Sequence, residues 1–261
     1  MSIREYTVAC GDYMRVHLFP VRRKASGKRG KRCKPTSEVQ ARLNQVNRQH
    51  MFSDILALNF SEGDYFLRLS YKCSPASVKE AECHMRNFIR RLKAYRKRIG
   101  LTDELKYAYI TECGKKSGRI HHHVFMQGDM DRGTIEKIWG LGYANCGRVQ
   151  LDETGWYGLA YYALKSKREK TGGDGDFEIS KRSWNCSKNL RRPEQGHEIR
   201  HNDYRIRTSD VRYINQNPDD FSFIGELYPD YFAVDVKSCA VQVEECTLLQ
   251  GNFVTIYLHK K

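Results

Sequence analysis

The sequence predicts an α+β fold, and three observations carry that expectation. Between residues 61 and 170, short β-prone runs alternate with amphipathic helical stretches. Two of those runs, 106–113 and 119–127, flank Gly114-Lys-Lys-Ser-Gly118, which reads as a hairpin turn. The resulting order, β-α-β-β-α-β, is the ferredoxin-like or RRM-like arrangement. It implies an antiparallel sheet with helices on one face and the other face open, plus N- and C-terminal extensions.

Residues 1–60 read as an N-terminal extension. Within it, Arg22-Arg-Lys-Ala-Ser-Gly-Lys-Arg-Gly-Lys-Arg-Cys-Lys34 carries eight cations in thirteen residues and no apolar periodicity. That run reads as a flexible loop, either simply solvated or in contact with phosphate. After Pro35, Thr36-Ser37 can cap a helix to about residue 58, with Val39, Leu43, Val46, Ile55 and Leu58 as its apolar positions.

The core is expected over residues 61–170. Tyr65-Phe-Leu-Arg-Leu-Ser-Tyr71 is its first strand. Ser74-Pro75 then opens a helix, with proline at the first helical position. Its buried stripe is Val78, Ala81, Met85, Phe88, Ile89, Leu92 and Tyr95, its outer face bears Arg86, Arg90, Arg91, Lys93, Arg96 and Lys97, and Gly100 stops it. The hairpin strands follow, then a short helix over 134–139, a strand near 143–151 and a helix over about 153–168. Residues 171–261 read as a less regular C-terminal extension packing on or near the core, ending in the strand Phe253-Val-Thr-Ile-Tyr-Leu258.

Composition narrows the partners. Forty-five Lys and Arg against thirty-one Asp and Glu give a formal charge of +14, which favours a polyanion, nucleic acid first. No stretch approaches the roughly 20 apolar residues of a membrane span. The N-terminus lacks a signal-peptide layout, and nine scattered cysteines include no C-x-x-C pair. A reducing, cytoplasmic setting is expected, with the cysteines as small buried hydrophobes. A Walker A loop is excluded: Gly114-Lys115 is followed by Lys116, and Tyr109 stands where the first glycine belongs. No ATP site is expected.

The candidate chemistry sits on the hairpin. In Ile120-His-His-His-Val-Phe-Met126 a strand puts His121 and His123 on one face and His122 on the other with Ile120, Val124 and Met126. If residue 112 pairs with 121, Glu112 shares the face of the two histidines. A one-residue register change would bring Thr111 or Cys113 instead. Two imidazoles and a carboxylate suit a divalent cation and leave coordination positions for substrate. The plainer alternative is a solvated histidine cluster.

A tyrosine-rich stretch follows, Trp156-Tyr-Gly-Leu-Ala-Tyr-Tyr-Ala-Leu-Lys165. On a helix Tyr161 and Tyr162 point about 100° apart. Tyr162 and Lys165 share one face, whereas Tyr157, Tyr161 and Lys165 share another. Core packing is the usual reason for such a helix. Beside a metal face, a phenol becomes a candidate nucleophile on a phosphodiester, with Lys165 stabilising the developing charge.

These residues resemble the HUH endonuclease superfamily, and among its members the rolling-circle replication initiators of small single-stranded-DNA phages and related bacterial mobile elements. Gly118-Arg-Ile-His-His-His-Val124 matches the metal-binding strand, with His122 in place of the usual hydrophobic residue, and Glu112 matches the third ligand. Tyr162-Ala-Leu-Lys165 matches the Tyr-x-x-Lys form of the nucleophile helix, whereas Tyr157 and Tyr161 mimic the two-tyrosine form. Phe66-Leu-Arg-Leu-Ser-Tyr71 is similar to the first-strand motif. Lys34-Pro-Thr-Ser-Glu-Val-Gln40 and Lys181-Arg-Ser-Trp-Asn-Cys-Ser-Lys-Asn-Leu-Arg-Arg-Pro193 look like flanking segments of phage-type members.

The resemblance implies Mg²⁺ or Mn²⁺ as cofactor and nicking of a single-stranded DNA origin. It also implies a 5′-phosphotyrosine link, a free 3′ hydroxyl and later religation in a bacterial host cell. A host helicase and polymerase would complete replication. Strand-binding candidates are Arg119, Arg191, Arg192 and, in the basic loop, Arg29 and Arg32. Three rivals are a relaxase or transposase of the same superfamily, a non-enzymatic RRM-like strand-binding module, and a two-His-one-carboxylate iron oxygenase. The oxygenase explains neither the charge nor the Tyr–Lys helix.

Overall fold

The computed structural model describes residues 3–20, 38–114, 118–151, 155–164, 184–193, 198–199, 206–241 and 251–261. The chain divides into two compact units, Glu38–Arg192 and a second that joins Met1–Ser37 to Pro193–Lys261. The segment expected as one N-terminal extension is therefore shared between the units, parting after Ser37. Its basic loop, 22–34, lies outside the described residues.

The Glu38–Arg192 unit comprises α1 (Glu38–Asn59), β3 (Tyr65–Ser70), α2 (Val78–Arg98), β4 (Tyr107–Cys113), β5 (Ile120–Met126), α3 (Arg132–Trp139), β6 (Ala144–Arg148), α4 (Gly155–Leu164) and β7 (Asn185–Cys186). Its antiparallel sheet has the order β6-β3-β5-β4-β7. From β3 to β6 this is the β-α-β-β-α-β sequence in ferredoxin-like order, with the two-residue β7 added at the β4 edge.

Strand alternation supplies the core. Leu67, Leu69, Tyr109, Ile120, Val124 and Met126 face α2 and α3, which contribute Ala81, Met85, Phe88, Leu92, Ile135 and Trp139. The helix start differs from expectation. α2 begins at Val78 behind Ser77, whose hydroxyl accepts from Glu80 N at 3.2 Å, so the serine and not Pro75 sets the boundary. Arg96, expected on the outer face, is buried at 2 % exposure and pairs with Asp103 and Asp129. The two carboxylates meet its guanidinium from the loops after α2 and β5, which a helical wheel does not see.

α3 is capped by the Asp131 carboxylate, which accepts from Gly133 N and Thr134 N at 2.9 Å, and ends at Gly140 with φ 61°. Gly142 lets the chain run against β3. A Cβ there would strike the Ser70 and Tyr71 backbone, while Ser70 N donates to Tyr143 O at 2.9 Å. The other face of the sheet also meets helices. Phe52 of α1 packs on Phe125 at 5.8 Å between ring centroids, and Tyr162 of α4 lies 6.1 Å from His123.

The second unit comprises β1 (Ile3–Cys10), β2 (Tyr13–Pro20), β8 (Glu198–Ile199), α5 (Thr208–Gln216), α6 (Phe221–Leu227), β9 (Tyr231–Val241) and β10 (Gly251–Lys260). Its sheet, ordered β8-β1-β2-β10-β9, was not expected beyond the final strand. β1 and β2 close on the two residues Gly11-Asp12, with Gly11 at φ 64°. Val16, Leu18, Val254, Ile256 and Leu258 form one face with Val211, Ile214, Ile224 and Tyr228 of the helical segment. Tyr228 Oη donates to the buried Glu5 carboxylate at 2.8 Å.

Candidate metal centre

β4 and β5 pair in the register Glu112↔His121 and Ile110↔His123. Directly opposed residues point the same way, so Glu112, His121 and His123 share a face. Glu112 Oε2 lies 3.2 Å from His121 Nε2 and 3.3 Å from His123 Nε2. One ligand atom from each of the three falls within 4.8 Å of the others. Glu112 and His123 are buried, while His121 is partly exposed and opens the cluster to solvent.

Packing orients the imidazoles. The His123 ring stacks on Phe66 at 5.5 Å and 13°, and Phe66 in turn stacks on Phe125 at 4.7 Å. His121 Nδ1 lies 3.4 Å from Arg119 O, leaving Nε2 toward Glu112. The hydrogen bond to Glu112 raises the His121 pKa above its ordinary value, with burial opposing. A divalent cation would take the place of the protons now shared with the carboxylate. The donor set, two imidazole nitrogens and one carboxylate oxygen on a hairpin, fits such an ion with coordination positions left over.

His122 points the opposite way. Its Nε2 is 2.7 Å from Tyr71 Oη and its Nδ1 3.0 Å from Thr111 Oγ1, so both ring nitrogens are satisfied inside the core. Burial pushes its pKa down to about 3, which keeps the ring neutral. The triple histidine is thus two candidate ligands and one core residue.

The two candidate tyrosines part company. Tyr162 is 53 % exposed and its ring meets His123 edge-on. Tyr161 instead lies against Tyr157 at 6.4 Å, and Tyr157 against His50 at 5.6 Å. Lys165, Arg29 and Arg32 lie outside the described residues. The Arg119 guanidinium donates to Tyr71 O at 3.3 Å and Lys72 O at 3.4 Å. Arg191 donates through Nη2 to Leu58 O at 2.8 Å, holding the end of α1. Arg192 is exposed.

Sequence reasoning missed Phe66 and Arg68, which occupy this face on β3. The register Phe66↔Phe125, Arg68↔His123 and Ser70↔His121 places them beside the histidines. The signal was available in principle, because period-2 alternation in β3 selects residues 66, 68 and 70 once β3 is known to pair with β5.

Fold and site define a class: an α+β unit carrying a hairpin-borne His/His/carboxylate cluster beside a tyrosine helix. Residues 64–167, less than half of the chain, match the family model of the ORF2-type Replication-associated protein. The matched segment runs from β3 through α4 and contains all three candidate ligands and both tyrosines. Comparison with curated proteins and with solved structures gave no match. No helix among the described residues is long and apolar enough to cross a membrane.

Proposed function

We propose that this chain is an HUH-type replication initiator endonuclease that nicks single-stranded origin DNA for rolling-circle replication. The observation that carries the reading is Tyr162, a solvent-accessible phenol against His123 of a convergent His/His/Glu cluster, within the segment matching a replication-associated family. Glu112, His121 and His123 would hold Mg²⁺ or Mn²⁺, which when bound supplies Lewis acidity and a template for a phosphate.

The remaining chemistry belongs to the chain. The Tyr162 oxygen attacks the phosphorus, forming a Tyr–O–P bond while the P–O3′ bond breaks. The phenolic proton is lost and the departing 3′ oxygen gains one, leaving a 3′ hydroxyl that a polymerase can extend. Attack of a 3′ hydroxyl on the phosphotyrosine reverses the sequence and closes a strand. Lys165, three residues on, is suited to stabilising the phenolate. Phe66 and the hairpin hold the histidines so that geometry does not have to be found during the reaction. A host helicase and polymerase, in a bacterial cytoplasm, would supply unwinding and synthesis.

The test is a labelled single-stranded origin oligonucleotide incubated with the protein and Mn²⁺, followed by denaturing electrophoresis. An SDS-resistant protein–DNA adduct that EDTA prevents is expected. Tight strand binding without an adduct on any origin would instead make the unit a binding module.

A further inference from the structure

On the face that carries the candidate metal ligands, β3 places a residue that neither the nicking chemistry nor the packing uses. Arg68 is directly opposite His123 on one side and Asn145 of β6 on the other. The row Ile110, His123, Arg68, Asn145 therefore runs straight across four strands on one face. Directly opposed side chains have Cβ atoms about 5 Å apart, so the arginine stem begins beside His123 and has room to reach over the cluster. Arg68 is exposed, and its guanidinium makes no hydrogen bond or ion pair among the described residues.

Its neighbours sharpen the contrast. Arg119 is committed to the backbone carbonyls of Tyr71 and Lys72, and Arg191 to that of Leu58. Glu112, the acidic member of the cluster, is aimed at the two imidazoles from β4, two strands away from Arg68. A cation at the cluster would make this corner of the face net positive, because the single Glu112 charge does not offset a divalent ion plus a guanidinium. Two positive centres on one face create a receptor for an anion that touches both.

We propose that Arg68 is the phosphate-binding arm of this site, contacting the phosphodiester of a single DNA strand lying across β5 and β3. A guanidinium suits this task because its planar fork binds two phosphate oxygens at once, whereas a lysine offers a point charge. The assignment rests on the nicking reading for the identity of the anion, and the position of Arg68 beside the cluster stands apart from which tyrosine reacts.

The experiment measures binding of a fluorescently labelled oligothymidylate by anisotropy, with Mn²⁺ present and over a range of NaCl, for the wild-type protein, Arg68→Ala and Arg68→Lys. Mn²⁺ binding alone and the thermal midpoint are measured on the same preparations. Arg68→Ala should weaken strand binding about tenfold and reduce the log–log salt slope by about 0.7, the value for one lost phosphate contact on a single strand. Arg68→Lys should restore the slope but only part of the affinity. Mn²⁺ affinity and the thermal midpoint should not fall in either variant.

Unchanged strand affinity and slope in Arg68→Ala would overturn the proposal, as would a parallel loss of Mn²⁺ binding or folding, which marks a structural role. If wild-type protein forms no covalent adduct while Arg68→Ala still loses strand affinity, the nicking reading fails and the phosphate arm stands.

Discussion

His122 shows how one position in a short motif changes meaning with its face. Its two neighbours turn to Glu112, while it turns to Tyr71 and Thr111 and fills a polar slot in an otherwise apolar core. Replacing it with leucine suits the volume but leaves two buried hydroxyls without their partner. His122→Leu should lower stability by about 2 kcal/mol, read as a shift in urea midpoint at constant slope, while Mn²⁺ affinity stays within about threefold. Loss of Mn²⁺ binding comparable to that of His123→Ala would make His122 a ligand after all. This division of roles was legible from alternation alone, because the side-chain period of a strand is fixed. Phe66, Phe125 and Arg68 were not placed, because their part in the site depends on which strands are neighbours, and spacing within β3 does not encode that.

At the scale of elements, the helices were legible through their stripes and less so through their ends. The stripe of α2 from Ala81 to Leu92 is where the heptad-like pattern puts it. Arg96 breaks the inference from charge to exposure: Asp129 and Asp103 lie on separate loops and meet it only after folding. Arg96→Met keeps the apolar stem and removes the head. Since Asp103 and Asp129 retain solvent, the cost should be about 2 kcal/mol, below that of a fully buried broken pair. Thermal melting checks this, and an unchanged midpoint would show that the ion pair contributes nothing net. The β1–β2 hairpin was hidden for a different reason. Met14, Val16 and Leu18 alternate with Arg15 and His17, yet the adjoining basic run dominates the composition of the segment.

For the molecule as a whole, the Met1–Ser37 and Pro193–Lys261 unit is discontinuous in sequence and carries its own core, and it contains a pH-sensitive group. His17, hydrogen-bonded to Thr255 Oγ1 at 2.9 Å, has its pKa lowered to about 3, first by burial and then by Arg15. Above its ordinary value of 6.5 the ring is neutral whether folded or not, so it adds no pH dependence there. Below 6.5 the unfolded chain takes up a proton that the folded ring refuses, so stability declines as pH falls toward 3. Denaturant midpoints taken from pH 7 to pH 5 should fall in the wild type and fall less in His17→Gln. Equal slopes would assign the acid sensitivity elsewhere.

The Glu38–Arg192 unit carries the central claim, that Tyr162 is the nucleophile presented to the Glu112–His121–His123 cluster. Its most direct measurement is the covalent adduct formed on a single-stranded origin with Mn²⁺, compared in Tyr162→Phe and Tyr161→Phe. Peptide mass spectrometry of the wild-type adduct accompanies the comparison. Tyr162→Phe should abolish the adduct, Tyr161→Phe should retain it, and the phosphonucleotide should map to Tyr162. An adduct that survives in Tyr162→Phe, or a mass shift on any other residue, would contradict the claim.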